Sequence, residues 1–96
     1  MIEVREAVRL AIQEAQIFFE GSQLIDLSLE EVELTDDERY WLITLGYYVQ
    51  NINPAQNKFA LAIEGERKYI RKYKKFKIDA NSGRFVSMKI REPSQG

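Results

Sequence analysis

The apolar residues of this 96-residue chain change their spacing once, near Gly21, and that change limits the folds open to it. Before it, Val4, Val8, Ala11, Ala15 and Phe18 recur at steps of four and three, and Ala7, Ile12 and Phe19 widen the stripe. Such spacing puts apolar side chains on one side of an α-helix. Glu3, Glu6, Gln13, Gln16 and Glu20 fall largely on the wet side, and the two glutamates at the start suit the positive end of the helix dipole. Gly21 stands where a glycine commonly ends a helix. The pattern predicts a helix over residues 2–20 with one buried face.

Beyond Gly21 the period is two. Ile25, Leu27 and Leu29 alternate with Asp26, Ser28 and Glu30, and after Glu30-Glu31 the alternation resumes on the other parity at Val32 and Leu34. A slip of one residue would turn the apolar side chains to the wrong face, and a β-bulge absorbs it while bending the strand. Alternatively, residues 22–28 are a separate extended connection and the strand starts near Leu29. Thr35 to Arg39 is a polar turn of hairpin length. Tyr40 to Val49 is aromatic and β-branched, as a central strand should be. Trp41, Ile43, Leu45, Tyr47 and Val49 share one face; Tyr40, Leu42, Thr44, Gly46 and Tyr48 share the other, less apolar one. Gly46 marks a bend or a close approach by another backbone.

Asn51-Ile52-Asn53-Pro54 ends that strand. Within residues 55–66, Phe59-Ala60-Leu61-Ala62-Ile63 is apolar and fits a short helix, an edge strand or a tucked loop, and an excursion of this length often carries function. Arg67 to Asp79 reads as a long basic strand. Tyr69, Arg71 and Tyr73 hold one parity while Phe76 and Ile78 hold the other, which predicts a second bulge near Lys74-Lys75. Ala80-Asn81-Ser82-Gly83 is a tight hairpin turn with glycine where a positive φ is wanted. Phe85 to Ile90 completes the sheet, with Val86, Met88 and Ile90 toward the core.

The expected fold is therefore α+β: an N-terminal helix packed on a curled, four-stranded antiparallel meander, a cystatin-like arrangement. Residues 1–91 form one domain, since the chain is too short for two. Residues 92–96 have nothing apolar to bury and form a flexible tail. The last hairpin, Tyr73-Lys74-Lys75-Phe76-Lys77-Ile78-Asp79-Ala80-Asn81-Ser82-Gly83-Arg84-Phe85-Val86-Ser87, resembles the terminal hairpin of PepSY-like domains. Leu29 to Leu34 followed by Tyr40-Trp41-Leu42-Ile43 is similar to their middle. The resemblance implies the cystatin-like fold and a non-catalytic binding or regulatory role; it brings no catalytic residues.

Composition narrows the chemistry. The chain has no Cys and no His. Thiolate nucleophiles, disulfides, Cys-ligated zinc and His-dependent hydrolysis are therefore excluded within it. No two glycines fall close enough for a phosphate loop. No enzyme activity and no cofactor are expected. Met1 to Glu6 lacks the features of a signal peptide, and no apolar run reaches membrane-span length, so a soluble cytoplasmic protein without membrane attachment is expected.

Charge is the feature that points to partners. Residues 1–66 carry 4 Lys+Arg against 13 Asp+Glu, a balance of −9; residues 67–96 carry 10 against 2, a balance of +8. Glu30, Glu31, Glu33, Asp36, Asp37 and Glu38 are oxygen ligands suited to a divalent cation, but their spacing is not that of a calcium loop, and a solvated strand edge and turn explains them. Arg71, Lys72, Tyr73, Lys74 and Lys75 form the candidate binding surface. The partner expected there is a protein or peptide, the chain's own second copy included. Interleaved cations and aromatics also suit single-stranded nucleic acid, the alternative, although the net charge of −1 argues against it. Two structural roles compete: lysines guarding an exposed edge, or a basic hairpin neutralised by the acidic one.

Overall fold

A computed structural model describes residues 1–20, 24–50 and 69–91. Helix α1 (Val4–Phe18) is followed by strands β1 (Ile25–Leu34), β2 (Tyr40–Gln50), β3 (Tyr69–Asp79) and β4 (Phe85–Ile90). The four strands form one antiparallel sheet in the order β1-β2-β3-β4, with the helix packed on one face. This is the α+β arrangement that the change of period implies. Gly21, residues 51–68 and residues 92–96 lie outside the described residues, so the helix-ending glycine, the excursion and the tail are not part of this description.

The helix presents alanines to the sheet. Ala7, Ala11 and Ala15 recur every four residues and are at most 2% exposed, packed with Ile43, Leu45 and Phe76. The expected stripe is therefore rotated: Val4 and Phe18, placed on its axis by spacing alone, are 38% and 48% exposed. The sheet supplies the bulk of the interlayer, including Phe76, Trp41 and Phe85, and leaves alanine-sized room beneath the helix axis. The helix N-terminus is tied to the far hairpin: the Ile2 amide donates to the Ala80 carbonyl (2.7 Å) and the Trp41 indole donates to the Ile2 carbonyl (3.2 Å).

The first bulge is where the parity slip put it. The β1–β2 register shifts between Leu29 and Glu31, and again between Ile25 and Ser28, where Asp26 has φ 53°. The strand begins at Ile25, so residues 25–28 are strand and not a separate connection. The second expected bulge is absent: Tyr69 to Asp79 pairs with β2 without a shift. The strand keeps strict alternation instead. Its tyrosines and Arg71 face away from the helix, where aromatic rings have partners of their own, so the change of apolar parity needs no extra residue. The shift in this half falls between β3 and β4. Ile78 pairs with Phe85 and Lys77 with Ser87, leaving Val86 as the extra residue. Phe85 thereby takes the core position expected of Val86, packing on Phe18 and Phe76 at ring distances of 5.2 and 6.5 Å. Val86 is 45% exposed.

The turns follow from their residues. In the first, the Asp37 carboxylate accepts from the Thr35 hydroxyl (2.6 Å) and the Arg39 amide (3.1 Å). In the second, the Asp79 carboxylate accepts from the amides of Asn81 and Ser82 (2.8 and 2.9 Å), and Gly83 adopts φ 76°. Among the described residues no helix is long and apolar enough to cross a membrane.

Candidate functional site

Strand alternation divides the five candidate residues between two faces. In register, Lys72 stands beside Tyr47 and Lys74 beside Leu45, on the helix side; Arg71, Tyr73 and Lys75 stand beside Tyr48, Gly46 and Thr44, on the outer side. Even so, Arg71, Lys72, Tyr73 and Lys74 all border one groove, and Lys75 is not among its lining residues. Nor is β3 an edge where β4 pairs with it: it lies between β2 and β4, so edge protection does not account for its lysines there.

On the outer side, Arg71 is committed to the acidic strand. Its guanidinium donates to the Glu30 carboxylate, to the Ser28 hydroxyl (2.8 Å) and to the Asp26 carbonyl (3.3 Å). It lies 4.8 Å from the Tyr48 ring centre and 5.7 Å from that of Tyr73. To reach β1 from β3 it must cross β2, and it crosses at Gly46. A Cβ on residue 46 would sit 2.6 Å from the arginine Nη2 and 2.6 Å from the glutamate Oε1. The glycine thus admits a side chain, where the sequence suggests a bend or a close approach by another backbone. The Arg71 hydrogen bond, followed by that of Ser28, holds the Glu30 carboxyl below its ordinary pKa. Arg91 faces Glu31 across the same surface at 3.6 Å. The acidic first hairpin and basic second hairpin therefore pair across the sheet.

Lys72 and Lys74, together with Arg71, Tyr73 and Arg91, line a groove of about 500 Å3 beyond the last helical turn. The helix ends at Phe18, while β2 and β3 run on past Tyr47 and Lys74. Phe19, Leu24, Tyr47, Val49, Ile70 and Ile90 supply its apolar lining, and Phe19 packs on the Tyr47 ring at 5.5 Å. No carboxylate is among the described lining residues. Burial raises the Tyr47 pKa, so its hydroxyl stays neutral near pH 7. A concave apolar surface with a few cations at one side can hold an apolar chain that also carries negative charge.

The acidic cluster is dispersed. Asp37 serves its turn, Glu30 and Glu31 serve the arginines, and no group of three or more Asp and Glu among the described residues is arranged to hold a metal ion. Thr44 is 1% exposed, and its hydroxyl has no hydrogen-bond partner among the described residues.

Sequence reasoning found the lysines but missed their division, although alternation alone could have shown it. It also missed Phe19, Leu24 and Ile90 as groove walls, because only the point where the helix stops relative to the strands makes them neighbours. Comparison with family models, curated proteins and solved structures gave no match to this chain.

Proposed function

We propose that this chain is a small non-catalytic module that binds a protein or peptide partner, through the groove beyond the helix end. One juxtaposition carries this: Lys72 and Lys74 flank an apolar lining free of carboxylates among its described residues. A partner segment with alternating apolar and acidic side chains satisfies both. The resemblance of the terminal hairpin to PepSY-like domains supports a binding or regulatory role, and the lack of His and Cys supports a non-catalytic one. Nucleic acid is the weaker reading, because Arg71 is neutralised by Glu30 and the net charge of the chain is −1.

The test is fluorescence anisotropy with a labelled peptide of alternating leucine and glutamate, compared with its leucine–lysine counterpart and with oligothymidylate. The acidic peptide should bind, the basic one should not, and a Lys72→Glu/Lys74→Glu variant should lose about tenfold or more in affinity. Equal binding of both peptides, or binding of the oligonucleotide alone, would overturn the proposal.

A further inference from the structure

Strand β3 is longer than the strand that covers its far side. β4 pairs with it only from Ile78 back to Lys74, and one further bond, from the Arg91 amide to the Tyr73 carbonyl (3.1 Å), ends the ladder. Tyr69 to Lys72 therefore have β2 on one side and, among the described residues, no strand on the other. Successive residues of an antiparallel strand turn their N–H and C=O toward opposite neighbours. Asp79 turns both to the β4 side: its amide donates to the Arg84 carbonyl (2.8 Å) and its carbonyl accepts from the Gly83 amide (2.9 Å). The Tyr73 carbonyl points the same way, and β3 runs against β2 without a shift. Alternation carries that direction on to Arg71 and Tyr69, whose N–H and C=O face the open side. Lys72 and Ile70 turn theirs to β2.

The groove lies along this edge. Every residue from Ile70 to Lys74 lines it, with Ile90 and Arg91 where β4 stops. Consecutive strand residues point to opposite faces, so a groove that touches such an unbroken run lies beside the strand and not on one face. The chain's own β4 is poorly suited to continue the ladder. Counting on from Arg91 opposite Tyr73 puts residue 93 opposite Arg71, and Pro93 has no N–H to donate.

We propose that the Tyr69–Lys72 edge accepts an extended partner peptide of mixed apolar and acidic residues as an added antiparallel strand, in line with β4. Main-chain bonds to Arg71 and Tyr69 supply attachment, and the groove beside them selects the side chains. The docking mode rests on the binding role proposed above and specifies how the partner is held. Charge sets the kind of partner: Lys72, Lys74, Arg71 and Arg91 border the groove, and its described lining has no carboxylate. A second copy of this chain does not fit, because pairing the same edges would bring Arg71 and Lys72 against another such pair.

The test uses the leucine–glutamate peptide with its backbone N-methylated on the leucines alone or on the glutamates alone. In a strand, alternate N–H groups face the sheet, so one of the two peptides should lose about tenfold or more in affinity while the other stays within about threefold of the unmodified peptide. Amide hydrogen exchange on the intact, isotopically labelled chain gives a second readout. Without peptide, the Arg71 amide should exchange faster than that of Lys72 after correction for intrinsic rates; saturating peptide should slow Arg71 and Tyr69 by about tenfold or more. Binding with equal effects from both methylation patterns would overturn strand addition and leave the groove as a side-chain site. Failure of the unmodified peptide to bind would overturn both readings. An Arg71 amide already as protected as Lys72 in the free chain would overturn the open edge itself.

Discussion

Replacing Phe76 by alanine tests the layer between helix and sheet, and replacing Val86 tests how the last strand is set. Phe76 is fully buried, packed with Ala7, Ala11, Ala15, Ile43 and Leu45, and edge-on to Phe85. Removing a phenyl ring from such a site costs about 3–5 kcal/mol, since the alanines opposite cannot grow into the cavity. The lost aromatic contact pushes the value toward the upper part of that range. A chain of 96 residues has a total stability of about 5–14 kcal/mol. Phe76→Ala should thus remove between a third and most of it. Val86 is nearly half exposed at a bulge, so Val86→Ala should change stability by less than about 1 kcal/mol. Urea unfolding followed by the single tryptophan, Trp41, measures both. At a slope of about 1–2 kcal/mol per molar urea, Phe76→Ala should move the midpoint by roughly 1.5–5 M, and Val86→Ala by under about 1 M. Equal costs at the two positions would refute the bulge and return Val86 to the core. A Phe76→Ala cost below about 1 kcal/mol would refute the packing.

Three further expectations follow from single side chains. Thr44→Val exchanges a buried, unpartnered hydroxyl for a methyl of similar size, so the midpoint should stay or rise by up to about 1–2 kcal/mol in stability; a clear loss would mean that the hydroxyl has a partner. Gly83→Ala forces a Cβ into left-handed backbone, 3.0 Å from the Leu10 Cδ1, and should cost about 1–2 kcal/mol by thermal unfolding; a neutral result would contradict the turn geometry. The amides of Ser82 and then Asn81 hold the Asp79 carboxyl below its ordinary pKa. A carboxyl so depressed contributes stability that is present above its unfolded pKa, about 4, and is lost as pH falls through the folded value. Asp79→Asn should therefore flatten the fall in Tm on acidification below about pH 4, and an unchanged acid profile would count against those hydrogen bonds.

Local patterns were legible where one interaction dominates. The helix, the turn residues Asp37, Asp79 and Gly83, and the bulge at Glu30 follow from spacing or from backbone chemistry within a few residues. Errors arose where parity was taken as a proxy for burial. Tyr69, Arg71 and Tyr73 gather on one parity because the outer face has its own aromatic and ionic partners, not because the strand slips. Val86 yields to Phe85 because the larger ring fills the space near Phe18 and Phe76, a choice made by tertiary packing. The candidate lysines were visible as a charge run. Their division into a groove pair and an outer-face member, and the withdrawal of Arg71 by Glu30 over Gly46, required the strand order.

The most direct test of the binding proposal is an affinity comparison at one salt concentration. Wild-type protein is titrated into the labelled leucine–glutamate peptide beside two charge reversals, Lys72→Glu/Lys74→Glu in the groove and Lys75→Glu on the outer face. The expected result is a loss of about tenfold or more for the groove variant and less than about threefold for the outer one. Equal losses, or a larger loss from Lys75→Glu, would contradict docking in the groove and move the binding surface to the other side of the sheet.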